Sequence, residues 1–378
     1  MIIDKNAQSQ FPDFITNPRF IEYDGGLGGG IRILQDASLD DFNKLCDLVC
    51  ENGFSEKFSR KTDKNVYRAY FKADDLIYIY YSEPRAEVRI VFEPDAKLPE
   101  NNPLESGACS IAQLSLDQTN IDCGMSYVIK CCDNSFFIID GGYFTEGECD
   151  RLYDYLRDNQ SGEIVINGWF FTHAHNDHFG CFMDFIQKYS DKVKIEQILF
   201  NFPSMTLPES GDWNQQDIQN TYRLYDILNE YAADIPIIRL HTGEEFTVRN
   251  LHFEVIYTHE DLYPHQVYNF NDTSTLLIMT VNGKKALWLG DMSDDTSDVI
   301  VKTCPERLKC DIVQVSHHGF NGAKKEIYEL ADAKTVFWPT ADYRFDENIW
   351  RPANTYLLTP TTGRDHIVSG YGTKILIV

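Results

Sequence analysis

The run Phe170-Phe171-Thr172-His173-Ala174-His175-Asn176-Asp177-His178 places four metal-competent side chains within six positions, directly after an apolar stretch. His173 and His175 lie two apart on an extended backbone and so share a face, while Asp177 and His178 open the helix that follows. Such a turn can offer two imidazoles to one metal ion and a carboxylate with an imidazole to a second. The chain holds ten histidines in 378 residues, so three of them in six positions is not the accident of a His-rich loop. A divalent ion held there would bring the pKa of bound water down to about 7, making hydroxide available at neutral pH, and a second ion would stabilise the leaving oxygen. Asp291, with two carboxylate oxygens to share, is suited to bridge such a pair. Asp177 is either a ligand of the second ion or the base that orients the water, and a helix start, where the macrodipole favours a carboxylate, fits both roles.

These side chains follow short apolar runs that end in polar residues. Residues 136–139 end in Asp140, 164–171 in the histidine cluster, and 195–200 in Asn201. Residues 275–281 turn through Asn282-Gly283 into 285–289, which ends in Gly290-Asp291, and 312–315 end in Ser316-His317-His318. This is the pattern of a β-rich α/β domain that gathers its polar residues at strand ends. Ahead of it, residues 31–95 read as a smaller α+β unit. Ser38 and Asp41 suggest a capping box, Phe42, Leu45, Cys46, Val49 and Cys50 recur at helical spacing, and three β-rich runs at 66–71, 76–81 and 87–92 suit an antiparallel meander. Residues 94–107, rich in Pro, Asn and Glu, read as a linker. We therefore expect a small α+β domain of unknown role over 1–107 and a catalytic domain over 108–378.

The segment HAHNDH at 173–178 resembles the HxHxDH signature of the metallo-β-lactamase superfamily, and further motifs follow in that family's order. Asp140 in Ile138-Ile139-Asp140-Gly141-Gly142 resembles the first motif, whose Asp orients the metal-binding loop. Leu289-Gly290-Asp291 resembles the fourth, whose Asp bridges two metals, and Val315-Ser316-His317-His318-Gly319 the last, which supplies a final His ligand. The resemblance covers residues 108–378 and implies an α/β fold of the αββα sandwich type. It implies a metal site of His173, His175, Asp177, His178, Asp291 and His317, holding one or two zinc ions, or else manganese or iron. Consecutive residues cannot project identically, so His317 is taken as the ligand and His318 as a group behind it or against the substrate. Asn271-Asp272-Thr273-Ser274, the Gly-Asp strand end and the Ser-His-His-Gly turn look like the competence-type (DNA-uptake) hydrolase domain and the related phosphorylcholine esterases.

The wider superfamily places a third His of the first metal site at a strand end where this chain has Asn201. His259 and His265, in the loop ahead of Asn271, are the candidates to replace it, whereas His252 lies within an alternating strand and reads as structural. His366 lies where a C-terminal loop could return to the cleft and donate a proton to a leaving group. Trp338, Tyr343 and Trp350 would wall a pocket or, as is commoner for such aromatics, fill core.

Composition sets bounds on partners. Against 58 Asp and Glu stand 34 Lys and Arg, a formal charge of −24, which disfavours stable binding to nucleic acid or an anionic membrane. The ten cysteines include no CxxC pair and read as reduced core residues. The N-terminal stretch lacks a basic-then-apolar leader, and the chain lacks an apolar run of about 18 residues, so the expectation is a cytoplasmic protein. Gly25–Gly30 lacks the Lys-Ser/Thr of a phosphate loop and reads as a flexible turn. The leading expectation is a metal-dependent hydrolase using a metal-bound hydroxide on a phosphodiester or carboxylic ester of a small molecule. An iron-dependent oxidoreductase on the same fold is disfavoured by His175, where flavin-coupled members carry Glu. A sensor or inactive binding protein is disfavoured by the presence of both Asp177 and Asp291.

Overall fold

Along the strand Phe136–Asp140, apolar side chains at every position serve two layers at once. Phe137 and Ile139 enter the apolar cluster between two stacked sheets, and Phe136 and Ile138 face the cluster beneath the outer helices. The strand Leu276–Val281 of the facing sheet divides the same way, with Leu277 and Met279 inward and Leu276 and Ile278 outward. A period of two with both phases apolar gives strands buried on both faces, which is why these runs carry no alternating polar residues. In this computed structural model, which describes residues 3–4, 7, 11–99, 101–116, 121–211 and 213–378, the N-terminal stretch read above for a leader is only partly covered.

The first central sheet runs Ile237–Ile238, Ile198–Leu199, Ile164–Phe170, Phe136–Asp140, Ser126–Lys130, Ser110–Gln113 and Lys374–Ile377, so the C-terminal strand closes its edge. The second runs Asp365–Val368, Thr335–Trp338, Ile312–Gln314, Lys284–Trp288, Leu276–Val281, Leu251–Tyr257, Glu245–Arg249 and Asn102–Pro103. Phe179 and Phe182 of the helix Asn176–Tyr189 and Leu224 of the helix Gln215–Tyr231 cover the outside of the first sheet, while Ile300 and Ile327 join Leu287, Val313 and Val336 outside the second. The fold is mixed α/β with helices flanking two stacked sheets, as expected. The presumed linker is partly structured, because Asn102–Pro103 pairs in parallel with Val248 and Arg249.

Ahead of this lies a six-stranded antiparallel sheet built from β1 (Ile21–Gly26), β2 (Gly29–Leu34), β3 (Ser55–Lys61), β4 (Asn65–Lys72), β5 (Asp75–Ser82) and β6 (Glu87–Glu93), ordered β1-β2-β6-β5-β4-β3. The helix α1 (Leu39–Glu51) begins at the Ser38/Asp41 capping box and lays Phe42, Cys46 and Val49 on Ile77, Ile79 and Ile90. On the opposite face, Tyr67, Tyr78 and Tyr80 pack into the same cluster as the helices of the first central sheet. The glycine run is not the flexible turn expected: Gly26 pairs with Gly29, and Leu27 and Gly28 turn the hairpin at positive φ. A Cβ at Gly29 would stand 2.8 Å from the Phe92 carbonyl and 2.9 Å from the Arg239 guanidinium, which donates to the carbonyls of Gly25 and Gly26. All ten cysteines are free thiols, but Cys50 is exposed and Cys123 and Cys132 are half-buried, so the core reading holds for the other seven. Among the described residues no helix is long and apolar enough to cross a membrane.

Candidate metal centre

Asp140 ends its strand at φ +57° and is fully buried. It accepts hydrogen bonds from the Thr172 N–H at 2.8 Å and the Thr172 hydroxyl at 2.9 Å, which fixes the start of the histidine loop, and its Oδ2 lies 2.7 Å from His178 Nδ1. With Nδ1 donating to Asp140, the Nε2 lone pair of His178 points the other way. Thr172 Oγ1, having given its proton to Asp140, accepts from His173 Nδ1 at 3.0 Å and so leaves His173 Nε2 free in the same manner. Asp140 thus sets two imidazoles, His178 directly and His173 through Thr172.

Around these free nitrogens two groups converge: His173, His175 and Asp291, and Asp177, His178, Asp291 and His318. His173 Nε2 is 3.0 Å from His175 Nδ1 and 3.8 Å from Asp291 Oδ2. His318 Nε2 lies 2.9 Å from Asp177 Oδ2, 3.3 Å from Asp291 Oδ2 and 3.3 Å from His178 Nε2. Asp291 belongs to both groups, and its second oxygen, Oδ1, is buried with no hydrogen-bond partner among the described residues. An orphaned carboxylate oxygen inside a ring of lone pairs fits a cation, since a buried anion is otherwise costly.

The electrostatics agree. Burial and the neighbouring His178 push His173 well below its ordinary value, leaving a neutral ligand. Burial also disfavours charge on His318, but the carboxylates of Asp291 and Asp177 outweigh it and raise this imidazole to about 10, and His178 is raised well above its ordinary value against the same penalty. Burial alone would raise Asp177 and Asp291, yet His178 and His318 hold both below the usual carboxylate range. The pocket demands positive charge, and protons or divalent ions can supply it.

The expected residues are distributed unevenly. His173, His175, Asp177, His178 and Asp291 meet, but His317 does not join them. His317 and His318 both take left-handed backbone angles, φ +50° and +55°. The turn sends His318 inward, with Nδ1 donating to the Pro339 carbonyl at 2.8 Å, and leaves His317 half-buried between Asn271 and the Asn321 carbonyl. The site geometry therefore takes His318 where His317 was expected. His366 sits beside the Trp338 indole, whose N–H donates to its Nδ1 at 3.0 Å, and is not among the converging groups. His259 is buried against Asn201 at 3.2 Å, and His265 is exposed. Asn201 itself is committed elsewhere, donating to the Leu240 carbonyl and to Glu260 and accepting from Arg239. Of the aromatics, Trp338 is core while Tyr343 and Trp350 are exposed.

Beside the two groups opens a cleft of about 370 Å³, lined by Asp122, Cys123, Tyr143, Asn176 and Asp217 besides His175 and Asp177. Neither Cys123 nor Asp217 was among the expected site residues. Cys123 Sγ is 3.6 Å from Asp177 Oδ2, and burial with nearby carboxylates pushes its thiol far up, so it stands protonated.

Residues 124–292, a stretch that holds both Asp140 and Asp291 and most of the candidate His/Asp metal site, match the family model described as Metallo-beta-lactamase superfamily. Among solved structures the chain is similar to the metallo-beta-lactamase fold protein YhfI from Bacillus subtilis, at 11% identity over 71% of this chain and 99% of that one, TM-score 0.44. It is similar as well to zinc-bound PqqB from Methylobacterium extorquens, at 10% identity over 71% of this chain and 99% of that one, TM-score 0.46. A third likeness is to CmlA, a diiron β-hydroxylase from Streptomyces venezuelae, at 10% identity over 76% of this chain and 55% of that one, TM-score 0.43. Likeness at this level says nothing of substrate. No curated protein matches the chain.

Proposed function

We propose that this protein is a metal-dependent hydrolase of a phosphodiester or carboxylic ester carried by a small molecule, with zinc as the resident ion. The observation that carries the reading is Asp291, shared by both groups and left with one unpartnered oxygen. His173, His175 and Asp291 would hold one ion, and Asp177, His178, Asp291 and His318 the second. Such ions lower the pKa of water toward about 7 and polarise an ester or phosphoryl oxygen. The chain's own part is positional. Asp140 and Thr172 fix the ring orientations of His178 and His173, the Pro339 carbonyl fixes that of His318, and Asp177 would either complete the second ligand set or orient the attacking water.

The surroundings favour a small substrate over a polymer. The cleft carries Asp122, Asp177 and Asp217, and three of the four clustered lysines outside it are paired with carboxylates. Lys284 pairs with Asp311 at 3.1 Å, Lys324 with Asp298 at 2.5 Å and Lys325 with Glu329 at 2.7 Å. A nuclease gains its hold on a long polyanion from several free phosphate contacts. The resemblance of Asn271-Asp272-Thr273-Ser274 to the competence-type branch thus supports the chemistry of phosphodiester cleavage without implying DNA. Assayed with zinc or manganese, the protein is expected to cleave a small chromogenic phosphodiester or ester and to act weakly at most on plasmid DNA. Efficient DNA degradation at physiological salt, lost in Asp291→Ala, would sink the small-substrate reading.

The two groups differ in ligand supply, since Asn201 brings no imidazole to the first. Zinc titration of the metal-free protein is expected to show one tight and one weaker equivalent, with the site of Asp177, His178, Asp291 and His318 filling first. Two indistinguishable tight equivalents would contradict this.

A further inference from the structure

Three of the four imidazoles in the centre have the nitrogen that faces away from the other ligands held by an oxygen acceptor. His173 Nδ1 meets Thr172 Oγ1 at 3.0 Å, His178 Nδ1 meets Asp140 Oδ2 at 2.7 Å, and His318 Nδ1 meets the Pro339 carbonyl at 2.8 Å. The remaining one, His175, turns Nδ1 toward His173, and its Nε2 on the opposite side of the ring lies 3.5 Å from Asp217 Oδ2. Asp217 reaches it from the first turn of the helix Gln215–Tyr231, whose N-cap Asn214 accepts from the Gln216 N–H. We infer that Asp217 is the positioning carboxylate of His175, holding its proton on Nε2 so that Nδ1 is free for the first metal ion.

This inference rests on the metal-centre reading and deepens it. The first group has two imidazoles and Asp291, with Asn201 fully occupied by Leu240, Glu260 and Arg239. Its affinity therefore depends more heavily on how well each imidazole is held. Asp217 and His175 are both shielded, with side chains 16% and 19% exposed, so the carboxylate is less screened than a surface acid. Partners that fix the tautomer and ring angle of a ligating histidine are worth about 10- to 100-fold in metal affinity when removed. Asp217 meets the ligand set at His175, a member of the first group, so the loss is expected to fall on the weaker equivalent.

Calorimetric titration of metal-free full-length protein with zinc tests this, with thermal melting of the metal-free protein as the control for folding. Asp217→Ala is expected to weaken the second zinc equivalent by about 10- to 100-fold and to leave the tight equivalent and the melting temperature unchanged. Asp217→Asn keeps an acceptor oxygen without the charge and is expected to recover most of that loss. In a His175→Ala background, Asp217→Ala should cost nothing further, as a double-mutant cycle requires of a residue acting through His175. A weaker equivalent unchanged in Asp217→Ala overturns the inference while leaving the metal centre standing. Equal weakening by Asn and Ala, or undiminished weakening in the His175→Ala background, also overturns it and assigns Asp217 to general attraction of cations. Wild-type protein that takes up no zinc overturns the metal centre and this inference together.

Discussion

Asp291→Ala is expected to lower kcat/KM for a small ester or phosphodiester by about 10³-fold or more, which is ~4 kcal/mol of transition-state stabilisation at 1.36 kcal/mol per decade. The size follows from geometry. Asp291 Oδ2 lies 3.3 Å from His178 Nε2, 3.3 Å from His318 Nε2 and 3.8 Å from His173 Nε2, and its Oδ1 has no hydrogen-bond partner among the described residues. Removing it takes the shared anion from both groups at once and leaves imidazoles packed against one another. Metal content measured on the same preparation should fall with the activity. The consecutive histidines sharpen the test. His318→Ala should approach the Asp291→Ala loss, because its Nε2 stands 2.9 Å from Asp177 Oδ2, whereas His317→Ala should cost less than about tenfold, its ring having polar contacts with Asn271 and the Asn321 carbonyl and none with the converging groups. Equal losses for the two variants would show that the loop closes differently on the metal.

What the sequence made legible here was whatever depends on short-range pattern. The central strands announce themselves because each is a short apolar run with a polar end, and Asp140, His173 and Asp291 stand at such ends. The choice between His317 and His318 depends on two successive left-handed residues, a backbone conformation that their side chains do not encode. Asp217 was invisible for another reason: it looks like any acid in a first helical turn, and its approach to His175 is set by how one helix packs on another across some forty residues. In the N-terminal sheet, β1 and β2 were hidden by glycines and β3 by its charged sequence SEKFSRK, since neither shows a clean alternation. His259 was one of two loop histidines considered as a replacement ligand, but its loop is drawn inward toward Asn201 and Glu260 instead.

That inward pull belongs to a buried ionic cluster, and His241→Ala is expected to destabilise the protein by about 3–5 kcal/mol, the cost of leaving buried charge unpaired. His241 is fully buried, with Nδ1 2.8 Å from Glu260 Oε1 and Nε2 3.0 Å from Glu93 Oε2 of β6, and its ring stacks on Tyr78 of β5. The N-terminal sheet is thereby joined to the central sheets through one imidazolium, and Arg89 adds a bond to the Glu260 carbonyl. Burial disfavours the charge on His241, but Glu260 and Glu93 overcome it and raise its pKa to about 10, above the unfolded value of 6.5. That contribution is complete below about pH 6.5 and is lost as pH rises through about 10. Glu260 is held down to about 2, burial being outweighed by His241, so its contribution is present above about pH 4.5 and lost as pH falls through about 2. Glu244, which burial pushes up to about 7, opposes folding increasingly as pH climbs from about 4.5 to 7. The His241 and Glu260 signs bound the cluster's greatest stabilisation between about pH 4.5 and 6.5, and Glu244 offsets part of it increasingly across that window. Denaturant unfolding of the metal-free protein should therefore show the largest gap between wild type and His241→Ala near pH 6, narrowing steadily toward pH 10. A gap under about 1 kcal/mol at pH 6, or one that widens with pH, would mean that His241 is neutral in the folded protein and that its ion pairs do not hold the two parts together.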